Sequence, residues 1–378
     1  MGNTHDSITT HPVLRALRDP AQVPLLSIAQ RDDLYRTLRL EGLLPHLGAR
    51  LRDQHAEAWG QLPERERDLL TGAIAFADDR ERMLWWEANR IRRALADCAF
   101  KPVLLKGAAY ALAGLPNARG RLAADVDILV AEAELAAAEA AFLAHGWEHV
   151  KLDEYDQRYY REWMHELPPL RHKGRLTELD VHHTILPRTA RLKPDAAQLL
   201  AQAVPLNDDP AWRGFTRLSD CDLVLHAATH LFHDGDIERG LRGLMDVDML
   251  LRHFDVTVGE PFWQALPQRA AQMDLAKPLY LALRYGRILL HTPIPAAVDM
   301  AMAAFAPARW RLAGLDALII RALIPGSPEG AGGLNPAGKL LLYLRGHWMR
   351  MPPGLLLSHL TRKGARRWGP HVWHRRTV

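Results

Sequence analysis

Cysteine is nearly absent from this 378-residue chain. Its two copies, Cys98 and Cys221, are too few for a disulfide framework and match none of the Cys/His spacings of structural zinc sites, so a reducing cytoplasm is the expected compartment. Long apolar runs are missing as well. No stretch of about 18 uncharged apolar residues occurs, which disfavours a membrane span, and the opening residues lack the apolar core of a signal peptide. Acidic residues stop at Glu329. Nine of the 48 cations follow it, from Lys339 to Arg376, which leaves 39 against all 44 anions and a net −5 over residues 1–329, although the whole chain carries +4. What the chain does have is apolar material: at 48% hydrophobic and 24% charged it can fill two or three compact modules.

Periodicity divides it. Residues 1–98 read as an N-terminal helical region, with helical spacing around Leu34–Leu40 and a long Arg/Glu-rich helix from about Glu64 to Cys98 whose stripe is Leu69, Ile74, Leu84, Trp85, Ile91 and Leu95. The period then changes. Pro102-Val103-Leu104-Leu105 is a short strand closed by Lys106-Gly107, and Ala108–Ala113 a helix stopped by Gly114. Further strands are expected over Leu122–Val130, Trp147–Leu152 and Leu176–Ile185, with an alanine-rich helix over Glu132–His145. Residues 99–190 thus form a small α/β core. Helices return over 191–324, including Asp220–Phe232, Ile237–Phe254 and 310–322, and a Gly/Pro linker opens the basic tail, 325–378.

The chemistry sits in the α/β core. Asp125-Val126-Asp127 lies in an apolar strand whose alternation puts both carboxylates on one face. A solvated strand face would explain a lone D-x-D. Leu179-Asp180-Val181-His182 supplies a third carboxylate by the same alternation, and three carboxylates on two strands can hold two Mg²⁺ ions, which take oxygen ligands. That arrangement suits in-line phosphoryl or nucleotidyl transfer. Lys106-Gly107, at a strand-to-helix turn, offers the phosphates backbone N–H groups, the positive end of a helix and a lysine.

The runs Leu104-Leu105-Lys106-Gly107, Arg121-Leu122-Ala123-Ala124-Asp125-Val126-Asp127-Ile128-Leu129-Val130 and Leu179-Asp180-Val181-His182 resemble the nucleotidyltransferase superfamily that includes DNA polymerase beta and the aminoglycoside nucleotidyltransferases. More narrowly, they are similar to a poorly characterised bacterial branch with LLKG, R-x-x-x-D-[IV]-D and [IL]-D-[LV]-H in this order. The resemblance implies an α+β fold, a small mixed β-sheet flanked by N- and C-terminal helical regions. It also implies that Asp125 and Asp127 bind both metal ions, that Asp180 binds the catalytic one, and that Gly107 lets the backbone approach the phosphates of an NTP. Ala108 stands where the superfamily has Ser or Gly after the turn glycine, so Lys106 and Arg121 are the candidates to contact phosphate instead.

Other features compete with this reading. His226, His230 and His233 share a helix face, and His233-Asp234 invites comparison with HD-type metal-dependent phosphohydrolases. His182, which shares parity with Asp180, and His230 are candidates for the acceptor side. Asp246-Val247-Asp248 repeats the D-x-D spelling inside a helical pattern, where i and i+2 do not share a face, and reads as structural or substrate-facing. The basic tail, interleaved with Trp348, Trp368 and Trp373, is a solvated tail or suits an anionic membrane surface or nucleic acid. The expected function is Mg²⁺-dependent transfer of a nucleoside monophosphate from an NTP to an acceptor hydroxyl or phosphate on a small molecule, peptide or protein. The alternatives are a non-catalytic nucleotide- or partner-binding descendant and HD-type hydrolysis.

Overall fold

The computed structural model describes residues 10–354 apart from 124, 151–152, 176, 208, 210–211, 234–236, 238–239, 327–333 and 353. Among the described residues, the α-helices that precede the sheet include α1 (Pro12–Arg18), α2 (Ile28–Leu40), α3 (Leu44–Gln54), α4 (Ala56–Gln61) and α5 (Glu64–Ala94). Local chemistry sets their starts. Ser27 and Gln30 cap α2 reciprocally, the Ser27 hydroxyl accepting from the Gln30 backbone N–H and the Gln30 side chain accepting from that of Ser27. The stripe of α5 runs through Leu70, Ile74, Ala77, Leu84, Ala88 and Ile91. It departs from the sequence expectation at two positions. Leu70, not Leu69, is buried, and Trp85 is 43% exposed, edge-on to Trp212, because it stands about 100° round the helix from the buried Leu84.

The α/β segment contributes β1 (Val103–Leu104), α6 (Lys106–Leu112), β2 (Asp125–Leu129), α7 (Leu135–Ala144), β3 (Trp147–His149), α8 (Glu154–Trp163), β4 (Leu170–His172) and β5 (Glu178–His182). After α9 (Ala196–Ala201), the short strands β6 (Val204–Pro205) and β7 (Thr216–Arg217) close a seven-stranded mixed sheet of order β3-β4-β5-β2-β1-β7-β6. The fold is α+β. At its centre β2 runs parallel to β5, pairing Val126 with Leu179, Asp127 with Asp180 and Ile128 with Val181, while β1 runs antiparallel to β2.

Alternation then sorts the residues. Val126, Ile128, Leu179 and Val181, each at most 1% exposed, face a core built with α5, α6 and α7, each side chain contributing about 2 kcal/mol of burial. The other face carries Asp125, Asp127, Asp180 and His182, and Leu129 joins a second core. That second core merges the first and last parts of the chain. Leu14, Leu38 and Leu47 of α1–α3 pack in one cluster with residues of α10 (Asp220–Phe232), α11 (Gly240–Thr257), α12 (Glu260–Gln272) and α13 (Ala276–Tyr285). The helices α14 (Ala296–Met302), α15 (Arg309–Leu323) and α16 (Pro336–Arg350) complete the described chain.

Part of the segment expected as a linker and basic tail is a helix packed on the rest of the chain. Asn335 caps α16, Leu342 and His347 are buried, and Arg191 donates to the Trp348 carbonyl while its guanidinium lies 4.3 Å from that indole's centroid. Residues 355–378, with most of the tail's cations, lie outside the described residues. Among the described residues no helix is long and apolar enough to cross a membrane. Cys98 and Cys221 are free thiols.

Candidate active site

The parallel register of β2 and β5 puts Asp127 beside Asp180 on neighbouring strands, with Asp125 two residues earlier on the same face and exposed. Strands lie about 4.8 Å apart, so these carboxylates are within reach of a common cation. Their states differ. Asp127 is 2% exposed, yet its Oδ1 has Lys106 Nζ at 2.7 Å and His182 Nε2 at 2.9 Å. Burial alone would raise its pKa, but the Lys106 ammonium and the His182 contact hold it well below the usual carboxylate range. Asp180 has no such partner. Burial first and the Asp127 charge second push it up to about 7, and its Oδ1 is buried without a hydrogen bond.

That orphaned oxygen is what a bound cation would satisfy. Two aspartates in register, a third exposed at the opening and all-oxygen donors fit Mg²⁺. Lys106 meanwhile compensates the charge of Asp127. Its backbone is left-handed, with φ +45°, a conformation costing a lysine roughly 1 kcal/mol, and the ion pair with Asp127 holds it there.

Gly107 and Arg121 also meet. Any Cβ at Gly107 would sit 2.5 Å from Arg121 Nη1 and 2.7 Å from the Ala123 Cβ, so the glycine makes room for the arginine. Arg121 Nε and Nη2 donate to the Asp246 carboxylate at 3.1–3.2 Å, and the guanidinium lies 5.5 Å from the Tyr110 centroid. Asp246 is therefore the counter-ion of Arg121. Asp248 accepts from Arg252 at 2.9 Å and from Thr292 Oγ1 at 2.7 Å.

The histidines separate by depth. His182 is 2% exposed and lies beneath Asp127. His226 is buried, and desolvation followed by the Lys106 charge keeps it neutral, well below its ordinary pKa. His230 is open to solvent, yet crowding by the protein and the charges of Lys106, Arg121 and Arg242 lower its pKa too. His233 belongs elsewhere. It is buried, the charges reaching it are those of Arg345 and Arg350, and Asp234 lies outside the described residues.

A family described as uncharacterised nucleotidyltransferase matches residues 28–291, well over half of the chain. The chain belongs to that family. It is accordingly an enzyme of the nucleotidyltransferase type. No curated protein and no solved structure matches it. The matched span runs from α2 to just past α13 and takes in the core beneath the sheet, most of the second core and the carboxylate face of this nucleotidyltransferase.

Two residues of this surface escaped the sequence reading. Glu166 pairs with His182 in an antiparallel bridge at the edge of β5 and brings Oε2 to 3.3 Å from His182 Nδ1, and His165 stacks at 5.1 Å, centroid to centroid, from the His182 ring. Both lie in a stretch without periodicity before Pro168-Pro169, where only the adjacency of a His and a Glu could have drawn notice.

Proposed function

We propose that this enzyme transfers a nucleoside monophosphate from an NTP to a hydroxyl or phosphate of a small molecule, peptide or protein, using Mg²⁺ held by Asp125, Asp127 and Asp180. One observation carries the reading: Asp127 and Asp180 stand in register on adjacent parallel strands, and the second has an orphaned, buried oxygen. When bound, the metal supplies charge neutralisation for the pentavalent transition state and lowers the pKa of the attacking oxygen.

The chain's own residues do the rest. Lys106 keeps Asp127 ionised, and His182 fixes its orientation from below, so His182 is a positioning residue. Asp180, in register with Asp127, helps hold the ion and take the proton of the acceptor oxygen. Gly107 and Arg121 form one wall beside the carboxylates, with Asp246 orienting the guanidinium toward that wall. Exposed His230 of α10 would hydrogen-bond the acceptor.

The net −5 of residues 1–329 disfavours a long polyanionic acceptor. The test is pyrophosphate release from each of the four NTPs, with Mg²⁺ and extract from the source cells. Release from one preferred NTP, absent in Asp125→Asn, supports the reading; metal-independent release, or release equal in Asp125→Asn, sinks it.

A further inference from the structure

Beside the aspartates lies a group of different chemistry. His165, Glu166 and His182 each offer one ligand atom, and the three atoms lie within 4.8 Å of one another. Glu166 Oε2 is 3.3 Å from His182 Nδ1 and 3.8 Å from His165 Nε2. A tetrahedral zinc site with bonds of about 2.0–2.1 Å sets its ligand atoms roughly 3.4 Å apart, so the spacing needs little adjustment. We propose that these three residues form a second metal site, separate from the aspartates, that takes a borderline divalent cation such as Zn²⁺.

The backbone prepares the group. Glu166 bridges His182 across antiparallel segments, the Leu167 N–H donates to the Val181 carbonyl, and the His183 N–H donates to the His165 carbonyl. His182 stands on β5, and these backbone bonds tie the irregular segment that carries His165 and Glu166 against it. Their depth is graded, with His182 2% exposed and the side chains of His165 and Glu166 at 13% and 14%.

An independent observation comes from His182. Its Nε2 lies on the Asp127 carboxylate, an arrangement in which the ring donates Nε2–H and leaves the Nδ1 lone pair facing the cluster. Nδ1 is buried and makes no hydrogen bond despite the nearby Glu166 oxygen. An imidazole that donates one N–H to a carboxylate while presenting the other nitrogen is the usual state of a metal-ligating histidine. His165 Nδ1 is also buried and without a hydrogen bond.

Ligand type separates the two sites. Two imidazoles and one carboxylate suit Zn²⁺ or Co²⁺, whereas Mg²⁺ prefers the all-oxygen set of Asp125, Asp127 and Asp180. Three protein ligands leave a fourth position open for water or substrate. The sites touch through one ring: a cation on His182 Nδ1 strengthens the Nε2–H bond to Asp127 and with it the fixed orientation of that carboxylate.

The test needs no nucleotide, so its outcome is independent of the nucleotidyl-transfer reading. Full-length protein stripped with a chelator is titrated with Zn²⁺ by calorimetry and with Co²⁺ by visible absorption. The expectation is one ion per chain, tetrahedral Co²⁺ bands, and a melting temperature raised by Zn²⁺. Glu166→Gln, which keeps side-chain size, and His165→Ala should each weaken binding by about tenfold or more. Asp125→Asn and Asp180→Asn should leave it unchanged. Three results would overturn the proposal: no Zn²⁺ bound by the wild type, full stoichiometry and affinity in both Glu166→Gln and His165→Ala, or binding lost in Asp125→Asn, which would put the ion among the aspartates. The melting temperature of each variant without metal verifies that it is folded.

Discussion

The chain spells Asp-Val-Asp twice, at 125–127 and at 246–248, and folds the two copies into opposite roles. On β2 the period of two sends both carboxylates to one face, beside Asp180 of the parallel neighbour, where they share too few cations. On α11 the same spacing turns the side chains about 200° apart. Each is then claimed separately, Asp246 by Arg121 and Asp248 by Arg252 and Thr292. A strand concentrates charge that calls for a metal; a helix disperses it into ion pairs that fix the frame. The two copies are also coupled, because the arginine held by the helical pair stands against Gly107 at the edge of the strand site.

The largest effect expected from breaking this comparison is on chemistry. Asp127→Asn should lower label transfer by about a thousandfold or more, measured in single-turnover assays, while the protein remains folded. Asp246→Ala should act through the frame instead. It leaves the largely covered Arg121 guanidinium without its counter-ion, which should cost about 2 kcal/mol in urea unfolding.

A subtler contrast lies in pH. In EDTA, Asp180 keeps its proton to about pH 7 in the folded protein but only to about pH 4 in the unfolded chain, so over that window the folded state binds more protons. Its contribution to stability is therefore fully present below pH 4 and is lost as pH rises through 7. Asp180→Asn should accordingly gain melting temperature over the wild type as the buffer moves from pH 5 to pH 8. A constant difference across that range would contradict the assigned state. The smallest effect is expected for Asp248→Asn, which keeps an acceptor for Thr292 and loses a pair whose arginine is 44% exposed: below about 1 kcal/mol, with transfer unaffected.

How far the sequence could be read follows from where the signal is periodic. Alternation in Asp125–Leu129 and Glu178–His182 was enough to place three carboxylates on one face, since register on a sheet with one buried face admits no slip. Helices with strong stripes and caps, such as Asp220–Phe232 behind Ser219, kept their expected bounds. The two- and three-residue strands β4, β6 and β7 were not legible, because elements that short carry no period and exist only through their neighbours. The same limit hid Glu166 and His165. Partner identity was hidden too: Lys106 reads as a phosphate contact by its place at the turn, and only the fold brings its ammonium to Asp127. Likewise nothing local to residue 121 or 246 marks them as an ion pair 125 positions apart.

The central claim is that the strand copy of Asp-Val-Asp performs nucleotidyl transfer, and the most direct measurement compares α-labelled with γ-labelled NTP in the presence of Mg²⁺ and extract. The account predicts label on an acceptor from the α position alone, abolished in the Asp125→Asn/Asp127→Asn double variant and retained in Asp248→Asn. Label arriving only from the γ position, or surviving the double substitution, would contradict it.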